Sequence, residues 1–403
     1  MSFPSFFIHP PKCGGSTVIS CFDLNKGNDR FINFFWDQDG WGNCRAKLLE
    51  TQVGGGHQPY GIHRLIKHPV SYCTILRDPL VRQISHYYYA ANGKNGEVTR
   101  GVSVSTSEAL AQQGVLSLDE WVSESLGGRN LFVQMLSGEP AVNEASLAVA
   151  QIHLREQIST VGVCEDMSEF LLRLCGSTGM ELPFYFEANR TNGAPKGNAH
   201  ISEAARQKFI ENNSFDYELF HDANRIVEAY AKETGRVFSD ALGLVRVIQS
   251  EINQLDNPHV YSSTVFGFDG SFLSRVHEVI GRFDLAPIDA YLEFAQSRQR
   301  APVDLFDGFV DTVTDAMVSG WAVNLSQPER PVPLEVRVGA KIVATGHSGE
   351  PRPDVASAGY PSSNSGFSIP LPNGIPEGFC VTIANSTERL HNAGAWRQGW
   401  HCE

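Results

Sequence analysis

The chain has 403 residues, of which 42% are hydrophobic and 19% charged, and a formal net charge of −13. This ordinary globular composition leaves room for two or more domains, and the acidity argues against a general nucleic-acid binder. No stretch reaches the ~18 apolar residues of a membrane span and no basic leader precedes an apolar run, so a soluble, cytoplasmic protein is expected.

The first informative segment is Phe6-Phe7-Ile8-His9-Pro10-Pro11-Lys12-Cys13-Gly14-Gly15-Ser16-Thr17. It reads as a short apolar strand, a turn rich in proline and glycine, and a helix opened by hydroxyl residues. That order builds an anion cradle, because glycines let backbone N–H groups approach a phosphate and a helix N-terminus adds donors and a favourable dipole. Lys12 stands at the mouth of the turn. It precedes both glycines, unlike the Walker order, in which lysine follows the last glycine.

Next comes Gly54-Gly55-Gly56-His57-Gln58-Pro59-Tyr60-Gly61-Ile62-His63, three glycines that let the backbone pass close to another group, followed at once by a histidine. Ser71 to Leu76 then reads as a buried strand. Arg77-Asp78-Pro79 ends it, and a helix runs through Ser85-His86-Tyr87-Tyr88-Tyr89, with Pro79 suited to its first turn. Arg77 at the strand end and Ser85 two helical turns on can face one ligand, and a guanidinium fork suits a phosphate.

Residues 92–107 read as a polar loop, with Ser117 capping a helix in a helix-rich 117–156 stretch. A third strand is expected over 160–165, with Asp166 opening the helix after it. Strands alternating with helices predict a parallel sheet covered on both faces, with ligands beyond the carboxyl ends of its strands. A second polar loop, 189–196, offers Arg190 and Lys196. Aromatics at helical spacing over 202–235, among them Phe209 and Tyr230, read as core.

Residues 239–303 carry helical periodicity and read as a helical connector. From 304 the pattern alternates at period two through Val310, Val318, Trp321 and Val336, which predicts an all-β module over 304–403. For Trp321, Trp396 and Trp400, core packing is preferred to stacking on sugars. Eight cysteines form no Cys-x-x-Cys pair, which argues against zinc and redox motifs, and no His/Cys/carboxylate cluster suggests a metal. Cys73 and Cys164 read as small buried hydrophobes.

Pro-Lys-x-Gly-Gly-Ser/Thr followed by Thr-Ile-Leu-Arg-Asp-Pro resembles the two phosphate motifs of sulfotransferases that use 3′-phosphoadenosine 5′-phosphosulfate (PAPS). With Gly-His-x-x-Tyr-Gly-x-His between them, residues 3–235 resemble the carbohydrate branch that includes the heparan-sulfate uronosyl enzymes. The resemblance implies a P-loop-like parallel sheet flanked by helices, the sulfotransferase fold, over 1–238. It implies that Lys12, Cys13, Gly14, Gly15, Ser16 and Thr17 cradle the 5′-phosphosulfate and that Arg77 and Ser85 hold the 3′-phosphate. Lys196 is expected near the nucleotide. Lys12 and His57 are the implied catalytic pair, with His57 as base and His63, His9 and His86 as rivals. Cys13 departs from the threonine of many relatives, losing a hydroxyl but not the backbone cradle. The acceptor implied is a hydroxyl of a carbohydrate or glycan-like molecule; a small alcohol, phenol or lipid acceptor and a non-catalytic glycan- or nucleotide-binding protein are the alternatives. Gly320-Trp321-Ala322, Arg352-Pro353-Asp354-Val355 and Gly366-Phe367 resemble a small β-sandwich appended to bacterial glycosyltransferases and related cell-surface enzymes.

Overall fold

A computed structural model describes residues 3–26, 32–33, 41–92, 105–139, 141–186, 201–255, 270–298, 303–371, 374, 378–386 and 388–390. Arg190, Lys196, Trp396 and Trp400, and most of the expected 92–107 loop, lie outside them.

The first strands are β1 (Ser5–Ile8), β2 (Ile32–Asn33), β3 (Val53–Gly56), β4 (Ser71–Leu76) and β5 (Ile158–Val163). They form one parallel sheet in the order β2-β3-β1-β4-β5. Every residue of β1, and all of β4 after Ser71, is buried, as a parallel sheet covered on both faces requires. The chain builds to one side of β1, then crosses to add β4 on the other. That reversal makes the carboxyl ends of β1 and β4 the switch point of the sheet, where open parallel sheets bind ligands.

The glycine stretch, expected to let the backbone pass close to another group, is the strand β3. Gly55 lies opposite Phe7 of β1, and a Cβ there would come 2.5 Å from the Phe7 carbonyl oxygen. At Gly55 the close approach is to a neighbouring strand.

Four helices are interleaved with or follow these first strands: α1 (Gly15–Lys26), α2 (Trp41–Thr51), α3 (Ile62–Ile66) and α4 (Pro79–Ala91). Asp78 caps α4 by accepting from the Val81 N–H at 2.9 Å, and Pro79 sits in its first turn. After α5 (Thr106–Gln112), Ser117 caps α6 (Leu118–Ser123) in a reciprocal box with Glu120. Leu80, Trp121 and Phe209 share a small cluster in this region. Further on, α7 (Leu131–Ser137) and α8 (Glu144–Ile152) precede β5, and Asp166 caps α9 (Met167–Thr178).

The expected two helices over 202–235 are α10 (Glu203–Asn212) and α11 (Ser214–Thr234). Of the 239–303 segment, α12 (Arg236–Ile252), α13 (Gly270–Ile280) and α14 (Ala286–Ser297) bury Val245, Ile248, Val276 and Tyr291 in the same core as β1 and β4. They are packed into that core and do not merely bridge two bodies.

The C-terminal region holds two antiparallel three-stranded sheets. One orders β10 (Gly366–Pro370), β7 (Met317–Asn324) and β6 (Phe306–Thr314); the other orders β11 (Phe379–Ile383), β8 (Pro333–Val338) and β9 (Lys341–His347). Val318 and Phe367 from the first join Val336 and Val381 from the second in one cluster. Between β9 and β10, Pro353–Ser357 forms a short helix, α15. Trp321 is half-buried with its ring 4.6 Å from that of Tyr360.

Candidate functional site

Because β1, β3 and β4 run parallel, the residues after each strand emerge on one edge of the sheet. Those residues include His9 to Gly14, His57 and Arg77. The Arg77 guanidinium donates to the Lys12 carbonyl at 3.1 Å, so the two expected phosphate motifs touch.

Lys12 itself has φ of +68°, a left-handed backbone that costs a non-glycine residue about 1–2 kcal/mol. Its ammonium lies 4.0 Å from the centre of the Tyr89 ring on α4. Burial, then the charge of Arg77, lowers its pKa from 10.5 to about 8. Tyr89 was not singled out in the sequence; its signal was its place four residues after Ser85, which sets both on one side of α4. Ser85 is half-buried on that face.

Cys13 is fully buried, and its N–H already donates to the Pro10 carbonyl at 3.2 Å. Neither its thiol nor its amide is therefore offered to a ligand. The Gly14 carbonyl accepts from the N–H groups of Thr17 and Val18 and starts α1. The amides of Gly14 and Gly15 have no backbone partner among the described residues. At Gly15 a Cβ would lie 1.9 Å from the His9 ring, so any larger residue would displace that imidazole.

His9 stacks on Phe7 and lies under His57, the two imidazoles 4.4 Å apart. His57 is exposed, and its Nδ1 lies 2.7 Å from the His9 carbonyl oxygen. A carbonyl only accepts, so the proton sits on Nδ1 and Nε2 carries the lone pair. Packing around the ring lowers the His57 pKa below 6.5, the His9 hydrogen bond partly opposes this, and the charges of Lys12 and His86 add to the lowering. His57 is thus a neutral imidazole near pH 7 with an available basic nitrogen. His9 is held neutral still more firmly, first by burial and then by His57 and Lys12.

The rival histidines are placed differently. His63 has no exposed surface; its Nδ1 lies 2.7 Å from the Tyr72 hydroxyl and its Nε2 3.3 Å from the Phe306 carbonyl. Both ring nitrogens are committed inside the protein, which removes His63 as a base facing a substrate. His86 binds Glu108 through Nε2 at 2.9 Å, sets its ring edge-on to Trp121, and has its Nδ1 buried.

Among the described residues no His, Cys, Asp or Glu group is arranged to hold a metal, and no helix is long and apolar enough to cross a membrane. The groups gathered on this edge are the cations Lys12 and Arg77, helix-start amides and the neutral, exposed imidazole of His57. Together they can bind an anion and accept a proton beside it. The chain matches no protein-family model and no curated protein.

Proposed function

We propose that the protein is a PAPS-dependent O-sulfotransferase acting on a hydroxyl of a carbohydrate or glycan-like acceptor. The observation that carries this reading is the Arg77–Lys12 contact. It joins the two phosphate motifs of the sequence into one cationic site, with the neutral imidazole of His57 close enough to feel the Lys12 charge. In this reading the parallel sheet is the sulfotransferase fold and the C-terminal sheets are a β-sandwich module.

His57 Nε2 takes the acceptor hydroxyl's proton as the new O–S bond forms. Lys12 meets the charge that grows on the 5′-phosphate oxygen as the old S–O bond breaks. Gly14 and Gly15 present amides to the same phosphate, while Arg77 and Ser85 hold the 3′-phosphate. The product is adenosine 3′,5′-bisphosphate.

A thermal-shift comparison tests the nucleotide assignment. A ligand that binds only the folded state raises the melting temperature. Adenosine 3′,5′-bisphosphate should do so and ATP should not; an equal response to both removes the 3′-phosphate assignment. Mass spectrometry of a glycan and small-alcohol panel incubated with PAPS then identifies the acceptor class.

A further inference from the structure

We infer that the C-terminal β-rich region is a positioning element of this site: through Arg64 it fixes the segment that carries His57. The inference rests on His57 being the base of the proposed reaction.

The chain leaves β3 at Gly56, presents His57, and enters α3 within six residues. A helix of five residues has little stability of its own, and α3 has no side-chain cap at its start. Its partners must hold it. Tyr60 donates its N–H to Met135 at 2.8 Å on one side. On the other, α3 meets the C-terminal region.

His63 Nε2 donates to the Phe306 carbonyl, and Arg64 Nε donates to the same oxygen at 3.4 Å. Arg64 Nη2 reaches the Glu388 carboxylate at 3.2 Å, and that carboxylate is buried. One residue past α3, Lys67 donates to the Ala358 carbonyl and sets its ammonium 4.8 Å from the Tyr360 ring centre. Arg45 of α2 donates to the next carbonyl, Gly359, at 3.3 Å.

Two cations thus hold the Ala358 and Gly359 carbonyls just past the carboxyl end of α15. Arg352 holds α15 in place through Asp354 and Asp311, and the Tyr360 hydroxyl donates to Asp307 at 2.7 Å. The partners of the 57–67 segment are therefore themselves anchored. Arg64 is the positioning residue, because it alone ties α3 both to the first residue of β6 and to a buried acid. Removing Arg64 leaves the buried Glu388 carboxylate without its cation.

The test uses the full chain with Arg64→Met, Glu388→Gln and the double variant. Hydrogen exchange of the 57–67 peptide should speed up about tenfold in Arg64→Met, while peptides over 12–17 and 77–85 stay unchanged. The His57 imidazole, followed by NMR of labelled histidine, should titrate closer to 6.5 once its packing loosens. The double variant should be no worse than Arg64→Met, since the two residues act as a pair. Calorimetric affinity for adenosine 3′,5′-bisphosphate should remain within about twofold of wild type.

A folded Arg64→Met protein with unchanged 57–67 exchange and an unmoved His57 titration overturns the inference. Should Arg64→Met fail to fold, Glu388→Gln, which keeps side-chain volume, decides by the same two readouts. Should the wild type fail to bind the bisphosphate, the proposed function falls, yet exchange and titration still decide the positioning role.

Discussion

Replacing Lys12 by glycine should stabilise the ligand-free protein while abolishing its turnover. The Lys12 pKa falls from 10.5 to about 8 on folding. At ~1.36 kcal/mol per tenfold change in proton affinity, the buried ammonium costs at most about 3 kcal/mol at pH 7. Glycine also relieves the left-handed backbone, about 1 kcal/mol, although its extra freedom in the unfolded chain cancels most of that gain. Losing the Tyr89 contact subtracts about 0.5–2 kcal/mol. The balance is a gain of about 1–3 kcal/mol, or several degrees in melting temperature. The sign of the pH dependence follows from the lowered pKa. Between about 8 and 10.5 the unfolded lysine holds its proton while the folded one has lost it, so wild-type stability rises with pH over that window. Lys12→Gly lacks this rise, and its advantage at pH 7 should shrink by pH 10. Unfolding curves of both proteins at pH 7 and pH 10 check the argument. A variant less stable than wild type at pH 7, or an advantage that does not shrink, refutes the claim that Lys12 is a strained, desolvated cation.

Arg77→Ala should weaken adenosine 3′,5′-bisphosphate binding by about 2–3 kcal/mol, the size of a lost charge-assisted contact, and calorimetry measures it. His57→Ala should keep its melting temperature and nucleotide affinity yet lose about 10²–10⁴-fold in single-turnover rate, the range of general-base catalysis. Because the His57 pKa is lowered, the wild-type kcat/KM should climb with pH through a midpoint below 6.5. Binding of the bisphosphate at pH 8 should take up protons, since the anion raises the Lys12 pKa from about 8; calorimetry in buffers of different ionisation enthalpy counts them. A chain ending at residue 302 should retain the parallel sheet and bind the bisphosphate, because Lys12, Ser85 and Arg77 lie before it, but its 57–67 peptide should exchange faster than in the full chain.

The sequence makes some of this architecture plain and hides the rest for physical reasons. β4 and α4 are legible because an apolar run meets Arg-Asp-Pro, where the breaker and the cap coincide. β3 is hidden because glycine is depleted in strands and its need here comes from the Phe7 carbonyl, far away in sequence. His57 and His63 look alike in a string of letters. What separates them is burial against Tyr72 and Phe306, the latter 243 residues on. Periodicity reveals α12 and α14 as helices but does not say which core receives them. Arg352-Pro353-Asp354-Val355 lies in a stretch that reads as all-β, yet Pro353 starts a short helix, just past which Lys67 and Arg45 take the Ala358 and Gly359 carbonyls.

Three features that each disfavour the folded state meet on one edge of the sheet. Lys12 adopts a strained backbone, its ammonium is desolvated beside Arg77, and His9 and His57 are held in neutral form. Strain and unmatched charge gathered at one place mark a site whose balance is completed by a ligand. In the proposed reaction the features are also coupled in a direction that would serve sulfuryl transfer. Before the donor binds, the Lys12 charge helps keep His57 unprotonated, so the base is ready. As a phosphate neutralises that charge, the imidazole becomes more basic while the acceptor hydroxyl approaches. Under that proposal the cation that meets the leaving phosphate would also set when the base is strongest, and it lies in the same short loop that carries His9 beneath His57.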